Sequence, residues 1–159
     1  MGWHVSLLAV IVLATQTSSP TDPSIVGVWR VVSFVSGDAS GKWQAAWGDH
    51  PSGLIIYTSD GHVSAQLYDP RRPKLGQVTM ALPLDPVQPS YQGLYTYFGT
   101  YVVDARAHTV SHHVEGAMAP DWVGSTLVRG YRFLDVNRLE LRVITDASGR
   151  TIVNGPVLV

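Results

Sequence analysis

The densest cluster of proton-handling side chains in the chain is His112-His113-Val114-Glu115. Neighbours on a strand point to opposite faces, so His112 and His113 cannot both look inward, while His113 and Glu115 share a face. An imidazole oriented by a carboxylate, or by a hydroxyl on the next strand, suits general acid/base work. His113 is therefore the candidate acid or base, with Glu115 as its orienting partner. The plainer alternative is a hydrogen-bonded histidine pair in a wall, setting strand register and touching no ligand. A metal site is not expected, because two ligands share the face and a third would have to come from another strand, such as that of His62.

Tyrosines form the second group. Tyr95, Tyr97 and Tyr101 fall on one face of one strand, close to where the histidine strand should pair with it. If that face lines a cavity, it offers ring surface with phenolic donors at the tips, suited to ketones, phenols or enols; if it faces out, the rings are cross-strand pairs. Tyr101 joins His113 and Glu115 as a candidate catalytic group. Tyr95, Tyr97, Ser64, Gln66 and Trp122 are candidate ligand contacts, with solvent exposure the alternative for Ser64 and Gln66. Trp43 and Trp47 flank Gln44-Ala45-Ala46 in an expected loop, where they could sit over a rim or gate a mouth. Arg71 and Arg72 could face an anion at such a mouth or lie in a solvated turn.

Other machineries are missing from the sequence. It has no Gly-x-Ser-x-Gly, no phosphate loop, no Rossmann glycine run and no His-Glu-x-x-His. No cofactor is expected. The chemistry left open needs only shape and one or two proton-transfer groups: isomerisation, dehydration, aldol-like or pericyclic ring closure.

The elements that must position these groups follow from length and patterning. A chain of 159 residues, 45% hydrophobic and only 14% charged, can bury one real core and is not a disordered tail. Eleven basic and twelve acidic residues leave a formal charge of −1, so there is no basic field for nucleic acid. Cysteine is absent, which excludes disulfide scaffolds and thiolate chemistry. Residues 5–14 form an apolar block followed by small polar residues, too short to span a bilayer and similar to the core of a secretory signal. The expected division is a signal or apolar leader over 1–19 and one domain over 20–159, with membrane contact only if the leader is retained.

From residue 25 the pattern has a period of two, punctuated by turn residues. Strands are expected at 26–35, 53–58, 62–68, 95–103, 108–115, 125–134, 138–145 and 151–159. Ser59-Asp60-Gly61 should close a hairpin into 62–68. Between 69 and 93 five prolines deny the chain ladder hydrogen bonds, so this stretch is read as a lid, a binding loop or a surface excursion. No three-turn amphipathic helix is found. Eight strands joined mostly by tight turns predict an all-β, antiparallel up-and-down barrel, closed so that no edge is left exposed.

Gly27-Val28-Trp29 resembles the Gly-x-Trp of the lipocalin superfamily. Longer motifs carry more: the run from Tyr57-Thr58-Ser59-Asp60-Gly61-His62 to Leu67, then Tyr97-Phe98-Gly99-Thr100-Tyr101, Ser111-His112-His113-Val114-Glu115-Gly116 and Pro120-Asp121-Trp122-Val123-Gly124. Over roughly 25–143 the chain resembles the small lipocalin-like domain family of bacteria and fungal metabolite clusters. The leader and the Asn154-Gly155-Pro156 ending depart from that pattern. The resemblance implies a calycin-type barrel enclosing a small, hydrophobic, oxygen-bearing molecule, with Trp29 plugging one end and Arg142 packed against it. The function expected is a cofactor-free cyclase or isomerase acting on a secondary metabolite such as a polyketide or terpenoid. The alternatives are a non-catalytic carrier for the same class of ligand and a secreted interaction module.

Overall fold

The alternation in the sequence becomes an inside and an outside in the computed structural model, which describes residues 25–38, 40–74 and 92–159. In β5 (His62–Tyr68) Val63, Ala65 and Leu67 are buried while His62, Gln66 and Tyr68 are exposed. The same parity holds in β4 (Ser52–Tyr57), β6 (Leu94–Asp104), β7 (Thr109–Ala117), β8 (Thr126–Asp135) and β9 (Arg138–Val143). Each fully buried aliphatic or aromatic side chain contributes about 1.5–3 kcal/mol. A one-residue slip would turn a whole row of them outward, so register is strongly specified.

These strands form consecutive antiparallel neighbours in one curled sheet. Its order is β1 (Gly27–Arg30), β4, β5, β6, β7, β8, β9, β10 (Val157–Leu158), β2 (Phe34–Gly37) and β3 (Trp43–Ala45). Turn chemistry acts where it was expected. Thr58 N–H donates to the His62 carbonyl and Gly61 takes φ 90°, closing the β4–β5 hairpin. Asp104, Asp135 and Asp146 each accept backbone N–H bonds two residues onward and so fix the later turns.

The strand count is ten rather than eight. The expected first strand is two, because the chain changes partners between them. β1 pairs with β4, whereas β2 pairs with β10. At the bend, Val31 N–H still donates to Gly53, while Val32 and Ser33 N–H donate to the Val159 carbonyl. The segment 27–37 therefore links both ends of the curled sheet, as strands that turn corners do. The second added strand is β3, which puts Trp43 in the sheet rather than in a loop. The expected last strand shortens to Val157–Leu158, preceded by Asn154 at φ 56° and by Gly155-Pro156, which interrupt pairing.

Trp29 packs against Phe133 at 6.0 Å, and its indole N–H donates to the Ile25 carbonyl. Arg142 does not stack on it; its guanidinium lies 5.5 Å over Trp43 instead. β9 sits beside β10 and β2, next to β3, which brings Arg142 to the Trp43 side of the sheet.

The expected leader at 1–19 lies outside the described residues, as does 75–91 of the proline-rich stretch. The described ends of that stretch meet: Asp69 N–H donates to the Gly93 carbonyl at 2.8 Å. Arg71 is held by Asp69 and the Ala46 carbonyl, and Arg72 lies over the Tyr68 ring. Among the described residues no helix is long and apolar enough to cross a membrane.

Candidate ligand-binding site

The inner faces of β4, β6, β7 and β8 converge on one buried polar residue. Val110, His112 and Val114 share the inward face of β7, and His112 is wholly inaccessible to solvent. Tyr57 reaches it from β4, with its hydroxyl 2.9 Å from Nε2. Tyr97 reaches it from β6, with its hydroxyl 2.8 Å from Nδ1. Burial holds this imidazole neutral, its pKa well below the ordinary 6.5, and the charges of Arg129 and His113 add to the effect. Burial also pushes both phenols up.

Hydrogen counting decides how the triad is protonated. Two hydroxyl hydrogens and one imidazole hydrogen serve two contacts, so one hydroxyl hydrogen is left over. On Tyr57, fully buried with its ring against Tyr101 at 4.9 Å, it would have no acceptor among the described residues. An unpaired buried hydroxyl costs about 1–3 kcal/mol. Tyr57 therefore donates to Nε2, Nδ1–H donates to the Tyr97 oxygen, and the Tyr97 hydrogen is the free one. The Arg129 guanidinium lines the same cavity as Tyr97, and its positive charge favours the ionised phenol.

Tyr97 and His112 lie in the wall of a cavity of about 270 Å³. That volume is near the lower end of the roughly 300–1,000 Å³ of small-molecule sites. Ile55, Leu67, Leu127 and Leu141 supply apolar wall, and Tyr95 and Trp122 supply aromatic surface. Trp122, in the 3-10 turn Pro120–Trp122, packs 5.8 Å from Tyr95 and 6.1 Å from Tyr97. Trp47 is buried behind this wall, 5.4 Å from Tyr95 and 4.5 Å from Phe34. On β8, Arg129 has the parity of buried Leu127 and Tyr131, and so joins the cavity lining.

Of the residues singled out in the sequence, Tyr95, Tyr97 and Trp122 come together at this cavity. Tyr101 faces inward, but its hydroxyl donates to the Thr58 carbonyl at 2.8 Å and it does not line the cavity. His113 and Glu115 do share a face, and it is the outer one: both are exposed, and His113 Nδ1 meets the Thr126 hydroxyl at 2.9 Å. The β6–β7 ladder shifts register between Phe98 and Gly99, which leaves Glu115 as the unpaired extra residue of a bulge. Ser64 and Gln66 lie outside as well, along a surface groove with Thr96, Phe98 and Met118.

Two cavity groups, His112 and Arg129, and Tyr57, which holds His112 from behind, were not named as site residues. The signal was present as parity. His112 alternates with Val110 and Val114, Arg129 with Leu127 and Tyr131, and Tyr57 with Ile55, whereas His113 alternates with Ser111 and Glu115.

Residues 26–155 match the lipocalin-like domain. The chain belongs to the lipocalin-like domain family. Membership of this family implies binding of a small molecule, in keeping with an apolar cavity inside a curled antiparallel sheet. No curated protein matches the chain.

The neutral histidine makes the lipocalin-like domain sensitive to acid. Above pH about 6.5 both folded and unfolded chains carry a neutral His112, and it contributes no pH dependence. Below that, the unfolded chain takes a proton that the folded chain refuses. Stability should then fall by up to about 1.4 kcal/mol per pH unit until the depressed folded pKa is reached. Asp38, Asp60, Asp69 and Asp135 are held below the usual 3.8 by hydrogen bonds, and Asp146 at about 2, so their contributions are lost only at lower pH. The urea midpoint should therefore drop between pH about 6.5 and about 4.5. A midpoint that stays flat across that window would contradict a buried neutral His112.

Proposed function

We propose that the protein binds a small, mainly apolar molecule bearing an acceptor oxygen, with the Tyr97 hydroxyl as the donor to that oxygen. What carries this reading is the spare hydroxyl hydrogen of Tyr97, bonded to His112, in a mostly apolar wall. His112 donates to the Tyr97 oxygen and the Arg129 charge acts on the same phenol; both polarise its O–H bond, which strengthens it as a donor.

A test uses 2-undecanone and undecane as probes, read by quenching of tryptophan fluorescence near Trp122. The ketone should saturate the site, and Tyr97→Phe should weaken ketone binding by about 2- to 10-fold while leaving the alkane unchanged. Absence of saturable ketone binding to the wild-type protein would overturn the reading.

A second, finer reading is a cofactor-free isomerase or cyclase in secondary metabolism, and the two-sided bonding of His112 favours it over a plain carrier. As the α-proton of a bound ketone leaves to water, the negative charge gathering on its oxygen would be stabilised by the Tyr97 O–H, itself held by Nδ1–H, with Tyr57 staying on Nε2 and every protein group keeping its own proton. The measurement is deuterium uptake at the carbons flanking the ketone in heavy water. Uptake above the buffer rate that disappears in His112→Phe supports catalysis; binding without uptake leaves a carrier.

A further inference from the structure

The cavity carries a cation that no acid among the described residues pairs with. Arg129 projects from β8 among apolar neighbours and is half-buried. One of its terminal nitrogens donates to the Val128 and Thr145 carbonyls, at 3.1 and 3.3 Å. Among the described residues no carboxylate forms an ion pair with it. Asp146 is the acid on the same cavity wall, and its charge is committed elsewhere. Its oxygens accept from the backbone and hydroxyl of Ser148, and Arg150 pairs with it at 2.8 Å.

A half-buried guanidinium with neutral neighbours is costly, because desolvation is not offset by a counter-charge. Tyr97, itself a donor into the cavity, lines the same cavity as Arg129. Guanidinium and phenol therefore present N–H and O–H donors to one largely apolar pocket, and the buried histidine is neutral. An unpaired guanidinium and a phenol donor in a largely apolar cavity, with the one acid on its wall already paired, complement an amphipathic anion.

The geometry points to an organic acid as the ligand class: an apolar body ending in a carboxylate or an ionised enol, with the oxyanion between Arg129 and Tyr97. This rests on the small-molecule reading above and narrows it from oxygen-bearing molecules to those with negative charge on oxygen. The groups already described do not require it, since Tyr97 alone would serve a neutral ketone. An enolate would fit the same pair, so a substrate that enolises in the site would have its developing charge stabilised there.

Decanoate and 1-decanol test this on the full-length protein, with 2-undecanone as the neutral reference. Wild-type protein should bind decanoate about 10- to 100-fold more tightly than decanol, as expected for charge-assisted bonds in a partly dry site. Arg129→Met should bring the two affinities to within a few-fold of each other, and Arg129→Lys should restore part of the preference. Equal affinities in the wild-type protein would overturn the inference whether or not the variants fold. So would a preference that survives Arg129→Met in a protein with an unchanged unfolding midpoint. If decanoate shows no preference but 2-undecanone binds, only the acid inference falls. If no probe binds, the small-molecule reading falls with it.

Discussion

Gly99→Val is expected to abolish folding at ambient temperature, or to cost at least about 3–5 kcal/mol, well above the usual effect of one methyl group. Gly99 has the inward parity of Tyr97 and Tyr101, at the point where the β6–β7 register shifts. A Cβ built there overlaps the His113 carbonyl oxygen, and it also lies 3.0 Å from the Glu115 nitrogen. Both are backbone atoms of a paired strand, so neither can swing aside without breaking the ladder. Gly116→Ala is the contrasting case. Its Cβ would meet the Phe98 ring, but Phe98 is 56% exposed and can rotate into solvent. That substitution should cost no more than about 1–2 kcal/mol. Urea unfolding of the two variants checks the pair, and a Gly99→Val loss as small as that expected for Gly116→Ala would show that the bulge does not require glycine.

His112→Ala should destabilise the domain by about 3–5 kcal/mol, more than its volume alone would suggest. Removing the imidazole leaves a void among Tyr57, Tyr97 and the β7 valines. It also strands one hydroxyl that is wholly buried. Adding Tyr97→Phe and Tyr57→Phe to that background removes the stranded groups, so their further cost should be small or favourable. The coupling of His112 with each tyrosine in a double-mutant cycle should reach about 1–3 kcal/mol. Strictly additive losses would mean that the three side chains do not act as a unit.

Much of the barrel was legible because strand periodicity and turn chemistry are local. Ser59-Asp60-Gly61 needs no tertiary partner to turn, and Val63, Ala65 and Leu67 must share a face in any extended chain. The inward parity of His112 was equally local, since Val110 and Val114 flank it at two-residue spacing. The pairing with Glu115 drew attention to the wrong face. Chemical plausibility between i and i+2 residues says only that they are neighbours, whereas apolar parity says which neighbours are buried.

What the chain alone determined, then, is which side chains share a face, where the hairpins turn, and that the product is a strongly curled antiparallel sheet. The tertiary structure decided which face is inside where both sides of a strand are partly apolar, as in β6. It also decided the contact of Tyr57 with His112. β5 and β6 lie between their strands, so in a flat sheet they would stand about 14 Å apart, at roughly 4.8 Å per strand step. Only the curl brings the hydroxyl to 2.9 Å, across Val63 and Gly99, which stand in register with Tyr57. Curvature is a property of the whole sheet, set by twist, by the bulge at Gly99 and by the 27–37 segment that joins its ends, and no local window of sequence contains it.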